Sequence, residues 1–138
     1  MNLIELSSSF CQNYLFYLKK TYHNLNITLS QSLCLITIPF NGISQSSLSK
    51  KLNLDVSTLS RNLDKMIKME LIKKEISHFD KRSFKISLTS KGHKIYDQII
   101  KTIENDLNKA FNTLDLDEKD QMIEIFNKVN WQFELFKK

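Results

Sequence analysis

From Ser44 to Gly92 the chain reads SQSSLSKKLNLDVSTLSRNLDKMIKMELIKKEISHFDKRSFKISLTSKG, and this stretch decides the fold. Ser44 is a ready N-cap for a short helix in which Leu48 and Leu52 share one face, with Lys50 and Lys51 outside. Asn53-Leu54 makes the turn. Asp55 caps a second helix whose Val56, Leu59, Leu63, Met66 and Ile67 recur at the spacing of a single apolar stripe. The other face carries Ser57, Thr58, Arg61, Asn62, Lys65 and Lys68. Those six supply hydroxyl, amide and cationic groups and no carboxylate, as a helix lying in a DNA major groove requires for base edges and phosphates.

Beyond that helix, Leu71-Ile72 and Ile76 precede His78-Phe79-Asp80-Lys81-Arg82-Ser83. Phe84, Ile86 and Leu88 then alternate with Lys85 and Ser87 at a strand's period of two. The pair predicts a β-hairpin. Its loop is too long for a two-residue turn and too charged for a core, so it projects into solvent or onto a ligand. The whole stretch is a helix-turn-helix with a wing.

At these residues the chain resembles the MarR family of winged helix-turn-helix regulators. The resemblance rests on Leu48 to Leu52, on Val56 to Arg61, on the wing Asp80-Lys81-Arg82-Ser83 and on Leu88-Thr89-Ser90-Lys91-Gly92, in the family's order and close to its spacing. A helix-turn-helix pattern alone fits many helix pairs, whereas a D-x-R wing followed by a strand and L-T-x-x-G is far more specific. With its flanking helices the resemblance covers nearly the whole chain. It implies a homodimer on a pseudo-palindromic double-stranded operator, acting as a repressor and released by a small-molecule or oxidative signal. The family often takes small anionic aromatics between the dimerisation helices and the winged module. Ser57, Thr58, Arg61 and Asn62 are then the base or phosphate readers, Ser44 and Gln45 touch phosphate at a helix N-terminus, and Lys65 contacts backbone. Arg82, with Lys81 beside it, reaches the adjacent minor groove. Asp80 orients Arg82 through an ion pair by the same resemblance; otherwise it is a turn residue capping its own backbone.

The charge follows this reading. Of a net +5, the stretch Ser44 to Gly92 holds +6 (11 Lys and Arg against 5 Asp and Glu), the residues before it +1 and those after it −2. That asymmetry fits a nucleic-acid binder with a separate partner-facing surface. A length of 138 residues suits one domain, and two glycines with one proline argue against a β-sandwich or barrel. The expected fold is mainly α with a small β wing, a single MarR-like domain with its winged core at about 28–92. No apolar run is long enough to span a membrane, and MNLIELSSSF has no basic region ahead of an apolar one, so the expected location is the cytoplasm, with no membrane partner.

Flanking the core, Leu3, Leu6, Phe10, Tyr14, Tyr17 and Leu18 predict an amphipathic helix to about Tyr22. Thr28 and Gln31 form a capping box for a helix carrying Leu33, Ile36 and Phe40, which Pro39 and Asn41-Gly42 end. Thr89 caps a long helix with Ile95, Ile99, Ile103, Leu107, Phe111 and Leu114, and Asp115 and Glu118 open a last one with Met122, Ile123, Phe126, Val129, Phe133 and Phe136. The helices at about 3–22 and 90–137 offer more apolar surface than a winged module can cover. They are either an ordinary intramolecular core or the dimer interface, and the resemblance favours the second.

Other chemistry is thin. His23, His78 and His93 have no ligand spacing, and the zinc-sensing branch of the family has histidines where this chain has Asn105, Lys109 and Asn112, so no metal site is expected. No nucleophile-base pair, Gly-rich loop or carboxylate couple can be assembled, so neither an enzyme nor a cofactor is expected. Cys11 lies near Tyr14, Tyr17 and Tyr22 on the first helix. The hydroperoxide-sensing branch uses a first-helix cysteine hydrogen-bonded to tyrosines, but there the cysteine lies further from the second helix; the alternative is an inert buried thiol. The rival function is a winged module or anti-repressor that binds protein and never DNA. Cations at both recognition helix and wing tip, Arg61, Lys65 and Arg82, speak against it.

Overall fold

Side-chain caps set most helix boundaries in the computed structural model, which describes residues 1–78 and 82–137. Asn2 and Glu5 form a capping box for α1 (Leu3–Asn24), and Thr28 and Gln31 form the expected one for α2 (Leu29–Thr37). Ser44 caps α3 (Gln45–Leu52), whose C-terminal Asn53 takes the left-handed conformation at φ 50°. An amide side chain tolerates that conformation better than most. Asp55 caps α4 (Val56–Lys68), and the Asp115–Glu118 box caps α6 (Leu116–Phe136). The remaining helix is α5 (Ser90–Phe111), and its Thr89 Oγ1 accepts from the Gly92 N–H at 3.0 Å. Leu114 therefore falls beyond α5 and is not part of its stripe.

The hairpin consists of β2 (Ile72–Ile76) and β3 (Phe84–Leu88), antiparallel, with Ile72 opposite Leu88 and Ile76 opposite Phe84. The Ser77 N–H donating to the Ser83 carbonyl at 3.0 Å extends the ladder one step. A third strand, β1 (Ile43–Ser44), pairs with the other edge of β3, so the sheet has the order β1-β3-β2. Two residues carry no readable period, so the sequence pattern did not announce β1.

Two compact units make up the chain, Met1–Ile103 and Glu104–Lys138. The first holds the core, where Tyr22, Leu35, Leu48, Leu59, Leu63, Met66, Leu71, Ile86 and Ile99 are buried. Burying each such side chain contributes about 1.5–3 kcal/mol. The α2 face differs from expectation. Cys34 and Leu35 are buried and Leu33, Ile36 and Phe40 are exposed, with Phe40 past the helix end against the His93 ring. LSQSLCLIT is apolar on more than one side, so its spacing admits two stripes. Likewise only Leu59, Leu63 and Met66 of the α4 stripe are buried, and Val56 and Ile67 flank it exposed.

In the second unit, α6 has no buried residue; Ile123, Phe126, Val129, Trp131, Phe133 and Phe136 are all exposed. On α1, Leu3, Ile4, Phe10, Phe16 and Tyr17 are exposed as well, and burial begins at Thr21-Tyr22. Among the described residues, no helix is long and apolar enough to cross a membrane.

Candidate nucleic-acid interface

The first turn of α4 is tied by Asp55. Its Oδ1 accepts the Thr58 N–H at 2.6 Å and the Ser57 hydroxyl at 2.8 Å. These bonds, the Thr58 backbone N–H foremost and the Ser57 and Thr58 side chains after it, with a smaller contribution from the Arg61 charge, hold the carboxyl at about 2 against its usual 3.8. Ser57 and Thr58 thus sit in a fixed cap, and the exposed Arg61, Lys65 and Lys68 follow along the outer face. Asp64 is exposed on that same face, one turn from Arg61 and from Lys68. The outer face therefore carries one carboxylate that the six-residue reading passed over.

Asn62 stands apart from the other expected readers. It is half-buried, and its Nδ2 donates to Ser30 Oγ of α2 at 2.6 Å. At the start of α3, Ser44 Oγ accepts the Ser47 N–H at 3.1 Å and donates to Ser47 Oγ at 2.8 Å. The neighbouring Gln45 is half-buried, and its Oε1 is enclosed with no hydrogen-bond partner among the described residues.

A groove of about 370 Å³ runs between the start of α3, the first turns of α4 and the base of the wing. Its lining includes Ser46, Ser49, Val56, Ser60, Lys74 and Arg82. Arg82 is exposed at the described end of the wing loop; Asp80 and Lys81, and with them the expected Asp80–Arg82 pairing, lie outside the described residues. Lys74 Nζ sits 4.2 Å above the Phe84 ring, a cation–π contact at the sheet edge. Lys74, Ser46, Ser49 and Ser60 did not figure among the expected site residues. For Lys74 a signal existed. It lies at the inward phase between Ile72 and Ile76, opposite Ile86, where a lysine marks the place at which the hairpin leaves the core.

Cys11 is a free, exposed cysteine on α1; Cys34 is the buried thiol, pushed up to about 11 by desolvation. Burial first, and the neighbouring Tyr22 second, raise the Tyr14 hydroxyl's pKa. Among the described residues no three His, Cys, Asp or Glu side chains are grouped to hold a metal ion.

The MarR family's sequence model matches residues 27–84, from the start of α2 through the wing. Apo wild-type MarR from E. coli superposes with a TM-score of 0.80 at 26% identity, covering 94% of this chain and 96% of that one. The family match thus covers the winged core, and the likeness to the E. coli structure extends over nearly the whole chain. A cysteine-to-serine mutant of E. coli MarR complexed with operator DNA aligns with a TM-score of 0.75 at 26% identity over 92% of each chain. The MarR protein from Peptoclostridium difficile gives 0.84 at 23% identity, covering 99% of this chain and 90% of that one, and so speaks for the fold. A search of curated protein sequences matched none.

The run Leu88-Thr89-Ser90-Lys91-Gly92 has a steric reason for its glycine. A Cβ at Gly92 would stand 2.0 Å from the Leu71 carbonyl oxygen. Around it, Thr89 N–H donates to the Leu71 carbonyl at 3.0 Å, Thr89 Oγ1 to that of Glu70 at 2.5 Å and Lys91 Nζ to that of Met69 at 3.0 Å. Three consecutive carbonyls just past the end of α4 are thereby satisfied by Thr89 and Lys91 at the start of α5.

Proposed function

We propose that this chain is a MarR-family transcriptional repressor, binding double-stranded DNA sequence-specifically and working as a homodimer. The observation that carries the reading is the convergence of two cationic elements. The exposed Arg61 and Lys65 lie along α4, and Arg82 lines the groove that joins the wing to the first turns of the same helix. A helix in the major groove and an arginine in the neighbouring minor groove require that adjacency. The complex of E. coli MarR with operator DNA supports the reading by analogy.

Two recognition helices, one from each subunit, enter successive major grooves about one helical turn apart, roughly 34 Å. Exposed apolar residues on α1 and α6 support the second copy as the partner that covers them. A small anionic aromatic effector, or oxidation, releases DNA by stabilising a dimer whose recognition helices miss that spacing. A gel shift on the chain's own promoter region, with scrambled duplex as competitor, tests the proposal. Retardation that resists the competitor is expected, and equal affinity for both duplexes refutes it.

A further inference from the structure

We propose that Asn62 is a positioning residue: its hydrogen bond to Ser30 fixes the roll of α4 against α2 and so aims Ser57, Thr58, Arg61 and Lys65. The inference deepens the DNA-reading proposal and rests on it for the effect on recognition, although not for the bond itself.

Asn62 lies at the edge of the α4 stripe, beside the buried Leu59, Leu63 and Met66, and is half-buried where Arg61 and Lys65 are exposed. Its Nδ2 reaches Ser30 Oγ at 2.6 Å, across 32 positions of sequence. The acceptor is itself fixed. Ser30 stands in the first turn of α2, which the Thr28–Gln31 box closes with bonds of 3.1 Å in both directions. α2 packs in turn on α1 and α3.

The apolar contacts of α4 hold it against α2, α3 and β2, but burial itself is not directional and resists a small roll only weakly. A hydrogen bond is directional and weakens steeply with misalignment. On a helix about 10–12 Å across with its side chains, a roll of about 10° moves the outer tips by roughly 1 Å. That displacement is enough to spoil the two-point contacts that tell one base from another. An asparagine at the flank of the buried stripe, bonded to a capped helix, adds a directional restraint to that packing. The α1–α2 pair also acquires by this bond a polar handle on the recognition helix.

The test compares native protein, Asn62→Ala, Ser30→Ala, the double variant and Ser30→Thr, which keeps the hydroxyl. Affinities for operator and scrambled duplex are read by fluorescence anisotropy at matched salt, with circular dichroism confirming equal helix content. Both single alanine variants should lose about fivefold of the operator preference, the double variant no more than either, and Ser30→Thr should keep it. If Asn62→Ala loses the preference while Ser30→Ala retains it, Asn62 reads DNA directly and the inference is overturned. Additive losses, or no loss in either, overturn it as well. A readout without DNA separates this from failure of the functional proposal: the Asn62 side-chain amide protons, followed by NMR, should exchange slowly in the native chain and rapidly in Ser30→Ala. Fast exchange in both refutes the bond whatever the DNA result, whereas slow exchange with no operator preference in the native chain refutes only the DNA reading.

Discussion

At the scale of single residues, charge and capping make separable predictions. Arg82 lines the groove at the wing base, so Arg82→Ala should weaken operator binding by about 1–3 kcal/mol with an unchanged helical spectrum. Unchanged affinity at matched salt removes the wing from the interface. Arg61 and Lys65 occupy successive turns of the exposed face, yet they should differ in kind. Arg61→Ala should narrow the gap between operator and scrambled DNA, and Lys65→Ala should weaken both alike and lower the salt slope by about one unit. Titrations at several salt concentrations distinguish them. Asp55 predicts an acid effect. Its carboxyl lies at about 2 in the folded chain and 3.8 ordinarily. A lowered folded value means that its contribution to stability is complete above pH 3.8 and is lost as pH falls through about 2. The Thr58 amide resonance should move through that window, and a midpoint near 3.8 would mean that the cap does not hold.

At the scale of elements, the junction of α4 with α5 is the most demanding. Gly92→Ala places a methyl group 2.0 Å from the Leu71 carbonyl oxygen, a contact only backbone movement relieves. It should cost about 1–3 kcal/mol or more, measured by urea denaturation; an unchanged midpoint would show that α5 is not pressed against Leu71. Elements of this kind were legible because their signals are local. Ser44, Asp55, Thr28 with Gln31, and Asp115 with Glu118 all cap where their spacing implied, and Ile86 and Leu88 face inward as period two requires. What was not legible is tertiary. The apolar residues of α2 permit two buried faces, and only packing chooses Leu35 over Leu33 and Ile36. β1 is too short to show a period, and nothing at position 62 announces a partner at position 30. The carboxylate of Asp64 was readable at its spacing, since it lies one turn from Arg61, and its place on the outer face follows from the helix alone.

At the scale of the whole molecule, apolar exposure makes the prediction. Phe126, Val129, Phe133 and Phe136 on α6 are all exposed in the single chain. Deleting residues 119–138 should remove that surface and yield monomer, aggregate or both. A monomer keeps the reading helix but loses the linked second half-site, whose effective concentration raises avidity by roughly 10² or more. Light scattering with gel shifts on full-site and half-site duplexes measures both, and a truncated chain that stays dimeric and binds the full site as tightly as the native one rules this interface out. The carbonyls of Met69, Glu70 and Leu71, held by Lys91 and Thr89, have a mechanical meaning on this scale. Three successive bonds and a glycine contact make this a close-fitting joint. A swing of the first turn of α5 should therefore be felt in the chain just past α4, as between two arms of one bell crank.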